Sequence, residues 1–201
     1  MSPKAELVKQ ISATGFTEAI DLMACLAVLR EGKSLVMPRA LEAANAALAA
    51  TIVQKALLQR VLITVERAFA PVNRPKSDRH VRVAFEHLSD PNVFDEAAKA
   101  GSRKELEQAR DTWRRYDADP RRKRLKHYRD KVVAHTGVRD PAIPLPLVSE
   151  LSSYAMGTAD ALARLARGTG VVELQLKVQT AAYDASAKAF WRVWRDQKKS
   201  K

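Results

Sequence analysis

Apolar residues recur along this chain at alternating steps of three and four, the period of a helix, and convincing strand alternation does not occur. The pattern predicts a first pair of helices over about 4–13 and 17–30, with Gly15 and Gly32 as breaks. The strongest segment runs from 39 to 69, where Leu48, Ile52, Leu58, Val61, Leu62, Val65 and Phe69 form a wide stripe that Pro71 stops. Residues 71–94, with several prolines and many charges, read as a loop with one short helix. A helix then begins at Asp95, a good N-cap residue, and carries Leu106, Ala109, Trp113 and Tyr116. Pro120 opens the next, about 121–135, which Gly137 and the prolines at 141, 144 and 146 end. Two more follow, over 147–167, with Leu147, Leu151, Tyr154, Leu162 and Leu165 inward, and over 171–195. The fold class expected is all-α, an antiparallel helical bundle over 36–170. To it are added an N-terminal helical extension (1–35) and a C-terminal helix with a basic tail (171–201).

Composition narrows the class. Seven glycines in 201 residues, with 46% hydrophobic and 29% charged positions, suit a helical globular protein rather than a disordered one. The net charge of +12 and a pI near 10.0 attract polyanions, so nucleic acid is the partner class expected. A single cysteine, Cys25, sits in the apolar run Leu22–Leu29, suits a reducing compartment and has no nearby histidine to make it a nucleophile. The start lacks the order of a secretory signal, and no 18-residue apolar stretch is expected to span a bilayer. A cytoplasmic protein with no membrane partner is the expectation.

Chemistry concentrates in residues 128–137, Tyr-Arg-Asp-Lys-Val-Val-Ala-His-Thr-Gly. Arg129 is permanently charged, and His135 is the side-chain type that titrates near neutrality. Directly before them lies the basic run Arg121, Arg122, Lys123, Arg124, Leu125, Lys126. Other arginine–histidine pairs share the spacing: Arg74/His80, Arg82/His87, and Arg121 or Arg122 with His127. Context separates them. Arg74 precedes a proline, Arg82 lies in a short segment, and His127 falls inside a helix. Arg129 alone has an acid next to it, and His135 alone falls where a helix runs out into Thr-Gly. At ~100° per residue, Arg129 flanks the Leu125/Val132 seam by roughly 50° and His135 flanks it by roughly 70° on the other side.

Arg129-Asp130 followed by Ala134-His135 at the end of a bundle helix resembles the signature of the HEPN superfamily. The similarity is greatest to its abortive-infection type U and toxin-like group, and it covers about 40–168. The resemblance implies a metal-independent endoribonuclease that works as a homodimer. His135 would then be general acid/base, Arg129 the phosphate clamp, and Asp130 an orienting group. Arg121, Arg122, Lys123, Arg124, Lys126 and Lys131 would hold the RNA backbone. A solvated helix face is the alternative use of that run, and core packing at the seam is the alternative for Tyr128.

Other constellations carry less. The four histidines and one cysteine lack metal-ligand spacing, so neither a metal nor another cofactor is expected. Arg167-Gly-Thr-Gly reads as a helix stop rather than a nucleotide loop. Trp113, Trp191 and Trp194 fit core or dimer packing better than base stacking. The N-terminal helices either cover the bundle or receive an antitoxin or regulatory protein. Three functions remain in competition: a defence or toxin–antitoxin ribonuclease, a non-catalytic module binding nucleic acid or a nucleotide or acting as a scaffold, and a basic helical DNA-binding regulator.

Overall fold

The computed structural model describes residues 1–33, 37–71, 81–133 and 140–195. In chain order its helices are α1 (Pro3–Gly32), α2 (Met37–Ala43), α3 (Ala47–Phe69), α4 (Val81–His87), α5 (Pro91–Ala98), α6 (Arg103–Asp117), α7 (Arg122–Tyr128), α8 (Val148–Gly168) and α9 (Leu176–Arg195). A single π-helical turn, Arg129–Val133, continues α7. Strands do not occur among the described residues, and the protein is an all-α bundle.

Helix α1 is the first correction to the sequence pattern. It runs unbroken through Gly15, because that glycine is buried and faces α8. A Cβ there would stand 3.1 Å from Leu162 Cδ2, so the missing side chain serves a close helix–helix approach rather than a stop. Ser2 caps its start, accepting from the Ala5 N–H at 3.4 Å. The stretch read as an extension therefore contributes Val8, Ile11 and Leu22 to the same core as Leu62, Phe69, Leu106 and Leu162.

Two long segments are in fact helix pairs. The stretch 39–69 divides at Asn45, whose φ of 52° lies in the left-handed region that asparagine tolerates. The helix expected from Asp95 is split into α5 and α6, capped by Asp90 and Ser102. Apolar stripes also overreach. Leu48 and Ile52 are exposed, as is Leu147, while Val61, Leu62, Val65 and Phe69 are buried. The expectation of no bilayer-length apolar stretch is corrected too. Pro3–Gly32 and Ala47–Phe69 each hold an 18-residue window long and apolar enough to cross a membrane, by length and composition only. Here both helices supply the core, where small alanines and few charges serve packing equally well.

Polar contacts fix the directions of the helices. Arg67 pairs with Glu18 (2.6 Å) and Arg60 with Asp21 (3.2 Å), and Gln54 donates to the Gly32 carbonyl (3.1 Å), so α3 runs antiparallel to α1. Helix α8 packs on both α1 and α6. Gly157 on α8 lets the Tyr116 ring of α6 lie against the helix backbone, where any Cβ would overlap it. Helix α9 runs along α1 in the same direction, with Leu176 in the Phe16 cluster and Trp191 against Gly32, and it is tied by Arg30–Asp184 (2.5 Å) and by Trp191 Nε1 donating to the Val28 carbonyl (2.9 Å). Trp191 is thereby buried, and Phe190 beside it is exposed.

Candidate active site

The site is assembled where the C-terminal end of α3 meets α7 and the π-turn. Phe69 ends α3, leaving carbonyls without helical partners. Arg82 donates to the Phe69 carbonyl (2.8 Å) and the Ala70 carbonyl (3.0 Å), and Arg122 also donates to the Phe69 carbonyl. Both guanidiniums pair with Asp117 at 2.6 Å. A carboxylate at the end of α6 thus holds two arginines, one from α4 and one from the start of α7, on the negative end of α3.

The basic run is divided by this arrangement. Arg122 is committed to Asp117 and the α3 terminus, and Arg124 to Glu150 at the start of α8. Glu150 in turn accepts from the Leu147 N–H at 2.9 Å. Arg121 folds back on Asp119, which holds that carboxyl down at about 2. Arg121, Lys123, Lys126 and Lys131 remain exposed. Arg82, Arg122, Lys123 and Lys126, with Asp117 and Asp119, line an open cleft of about 510 Å³.

Arg129 and Asp130 open the π-turn and touch each other, with Arg129 Nε 2.8 Å from Asp130 Oδ1. Lys126 reaches the other carboxylate oxygen at 2.7 Å. Both Arg129 and Asp130 keep 31% of their side-chain surface, enough to meet a ligand. The π-turn also replaces the 100° step assumed for the whole segment, since its hydrogen bonds span five residues rather than four. His135 lies outside the described residues. His127 accepts from the Asp140 N–H (3.3 Å), which ties the chain after the motif back to α7. Tyr128 is half-buried and packs on the main core. Among the described residues no group of three or more histidine, cysteine, aspartate or glutamate side chains gathers as a metal site would need.

Glu66 is the residue that sequence reasoning missed. It sits on α3 between Leu62 and Phe69 on the buried face and is only 2% exposed. An acid interrupting the apolar stripe was the available signal. Burial pushes its carboxyl up to about 7, against the opposing pull of Arg122 and Arg129. The folded protein therefore binds more protons than the unfolded chain between about 4.5 and 7. Stability should fall as pH rises through that window, by roughly 3 kcal/mol in all, and level off above it. Urea titrations from pH 4.5 to 8 check this, and Glu66→Gln should flatten the slope.

Comparison with known proteins adds the deciding fact: residues 4–170 match the HEPN_AbiU2 family, described as AbiU2. The chain belongs to that family. HEPN_AbiU2 is a HEPN-superfamily domain associated with abortive infection. The match begins inside α1, well before residue 40, and takes in the helix that shares its core with the rest of the bundle. No curated protein and no solved structure matches the chain.

Proposed function

We propose that this HEPN_AbiU2 protein is a metal-independent endoribonuclease acting in defence or as a toxin. Its site would use Arg129, Asp130 and His135. The observation that carries the reading is the placement of Arg129 and Asp130 together, partly exposed, on a π-turn beside a basic cleft in a chain of this family. The ribose 2′-hydroxyl loses its proton to a base and attacks the adjacent phosphorus. The bond to the 5′-oxygen breaks as that oxygen takes a proton, leaving a 2′,3′-cyclic phosphate and a 5′-hydroxyl. His135 supplies proton transfer, and Arg129 steadies the crowded phosphorane.

One copy offers a single such pair, and the chemistry calls for both a base and an acid. A second copy related by a two-fold axis would complete the set. Exposed Leu147 and Val148 line, with Tyr128 and Leu151, a cleft of about 190 Å³ beside the motif helix. That apolar surface suits contact with a second copy.

Purified protein incubated with labelled RNA and EDTA tests the reading. Cleavage to cyclic-phosphate ends, lost in His135→Ala, supports it. Intact dimer that binds RNA and cuts none would favour the non-catalytic module. The exposed lysines give a separate expectation. Changing Lys123 and Lys131 together to alanine should lower the slope of log affinity against log salt by about 1 to 1.5. Thermal stability should stay unchanged. Arg124→Ala should instead destabilise by roughly 1–3 kcal/mol, because Glu150 is 8% exposed and would lose its cation.

A further inference from the structure

We propose that Glu66 is a positioning residue for Arg129: its buried carboxyl on α3, set against the π-turn, fixes the direction in which the guanidinium is offered to a phosphate. The inference rests on the ribonuclease reading and deepens it, because it concerns what aims the phosphate-binding group.

Burial and packing supply the first support. Glu66 is enclosed, and α3 packs against both α7 and the π-turn. Polar satisfaction supplies the second. Glu66 Oε1 is buried without a hydrogen-bond partner, and so are the Nε atoms of Arg122 and Arg129. Arg129 Nε stands 2.8 Å from Asp130 Oδ1, yet no hydrogen bond satisfies it. Buried polar atoms without partners are rare in folded proteins, and here they occur on α3 and on the α7 and π-turn segment packed against it, where a small movement makes a bond.

Charge supplies the third support. Among the described residues, the charged groups that act most on Glu66 are Arg122 and Lys126 from α7 and Arg129 and Asp130 from the π-turn. Arg122 is already held by Asp117 and the Phe69 carbonyl, and Lys126 is on Asp130. Among the described residues Arg129 forms its ion pair with the adjacent Asp130 of its own turn, and it is the cation such a carboxylate can steer. An ionised Glu66 draws the Nε edge of the guanidinium inward and leaves the two terminal nitrogens facing outward, the edge that grips phosphate. Its protonation near neutrality would relax that hold. Glu66 is too enclosed to touch RNA, so its effect passes through Arg129.

Two measurements on the full chain test this. In the first, RNA cleavage by wild type and Glu66→Gln is compared at pH 8.5 and pH 5.5. The variant should lose about tenfold in kcat at pH 8.5 with KM within twofold, and the ratio should approach one at pH 5.5. A purely structural role predicts no such convergence, and equal kcat at both pH values overturns the proposal. The second needs no activity. In ¹H–¹⁵N spectra, the Arg129 Nε–H signal, assigned by its loss in Arg129→Lys, should titrate in wild type with a midpoint near 7. It should stand still in Glu66→Gln. An Arg129 signal in wild type indifferent to pH between 5.5 and 8.5 overturns the proposal, even if the variant does not fold. If wild type cuts no RNA at all, the ribonuclease reading fails, and this titration still decides whether Glu66 steers Arg129.

Discussion

Arg129→Ala should lower RNA cleavage by roughly a hundred- to a thousandfold, the effect of removing one preorganised charge from a transition state. The side chain is only partly exposed, and its ion pair is with the adjacent Asp130, so little of the fold depends on it. A thermal melt within a few degrees of wild type should accompany the loss. Arg129→Lys is the sharper version. A lysine keeps the charge but presents a single rotating ammonium where the guanidinium offers a planar fork, so most of the activity should still go. Labelled RNA with EDTA, read on a gel for cyclic-phosphate ends, measures both variants. Full activity in Arg129→Ala would reject the site as assigned, while wild-type activity with a fully active lysine variant would reduce Arg129 to a point charge.

The second large effect concerns stability. Trp113→Ala should cost about 3–5 kcal/mol, and on the order of 10 °C in melting temperature for a chain of this size. Trp113 is 8% exposed, and its ring stacks on Phe85 (4.9 Å between centroids) and Phe69 (6.1 Å). Its indole N–H donates to the Ala68 carbonyl at 3.2 Å, and the Arg82 guanidinium lies 4.8 Å over the ring. Truncation opens a cavity, strands that carbonyl and removes the ring beneath Arg82, the α4 arginine that shares Asp117 with Arg122 of α7. Activity at a permissive temperature should fall with it, since Arg82 shares Asp117 with Arg122, the residue that opens α7 ahead of the π-turn. Trp113→Phe should cost much less, because the stack survives and a single hydrogen bond is lost. Differential scanning calorimetry separates the two. A small loss in Trp113→Ala, joined to weaker RNA binding, would restore the tryptophan to a base-stacking role.

Legibility along the chain varied with how local each determinant was. Helix α8 was readable almost to the residue, because a long amphipathic run between a proline-rich stretch and Gly168 leaves little choice of register. Gly15 was misread because a glycine's local penalty is visible in sequence, whereas its closeness to Leu162 across the bundle is not. Asn45 was overlooked for the opposite reason. Its break depends on a single positive φ that the surrounding alanines do not advertise. In the basic run, Arg122, Arg124, Lys123 and Lys126 look alike in sequence. Asp117 and Glu150, from other helices, separate the two arginines that build the fold from the lysines that face solvent.

The sequence by itself determined the helical class, the polyanion-seeking charge and the motif from Arg129 to His135, since periodicity, composition and short spacing are properties of the chain alone. Only the tertiary structure decided which cations are spent on carboxylates, that Arg129 begins a π-turn, and that the helix carrying a buried acid, α3, packs against that turn. Those outcomes depend on groups from different helices meeting, as Arg82 and Asp117 or Arg124 and Glu150 do, and that meeting is set by packing rather than by any local preference.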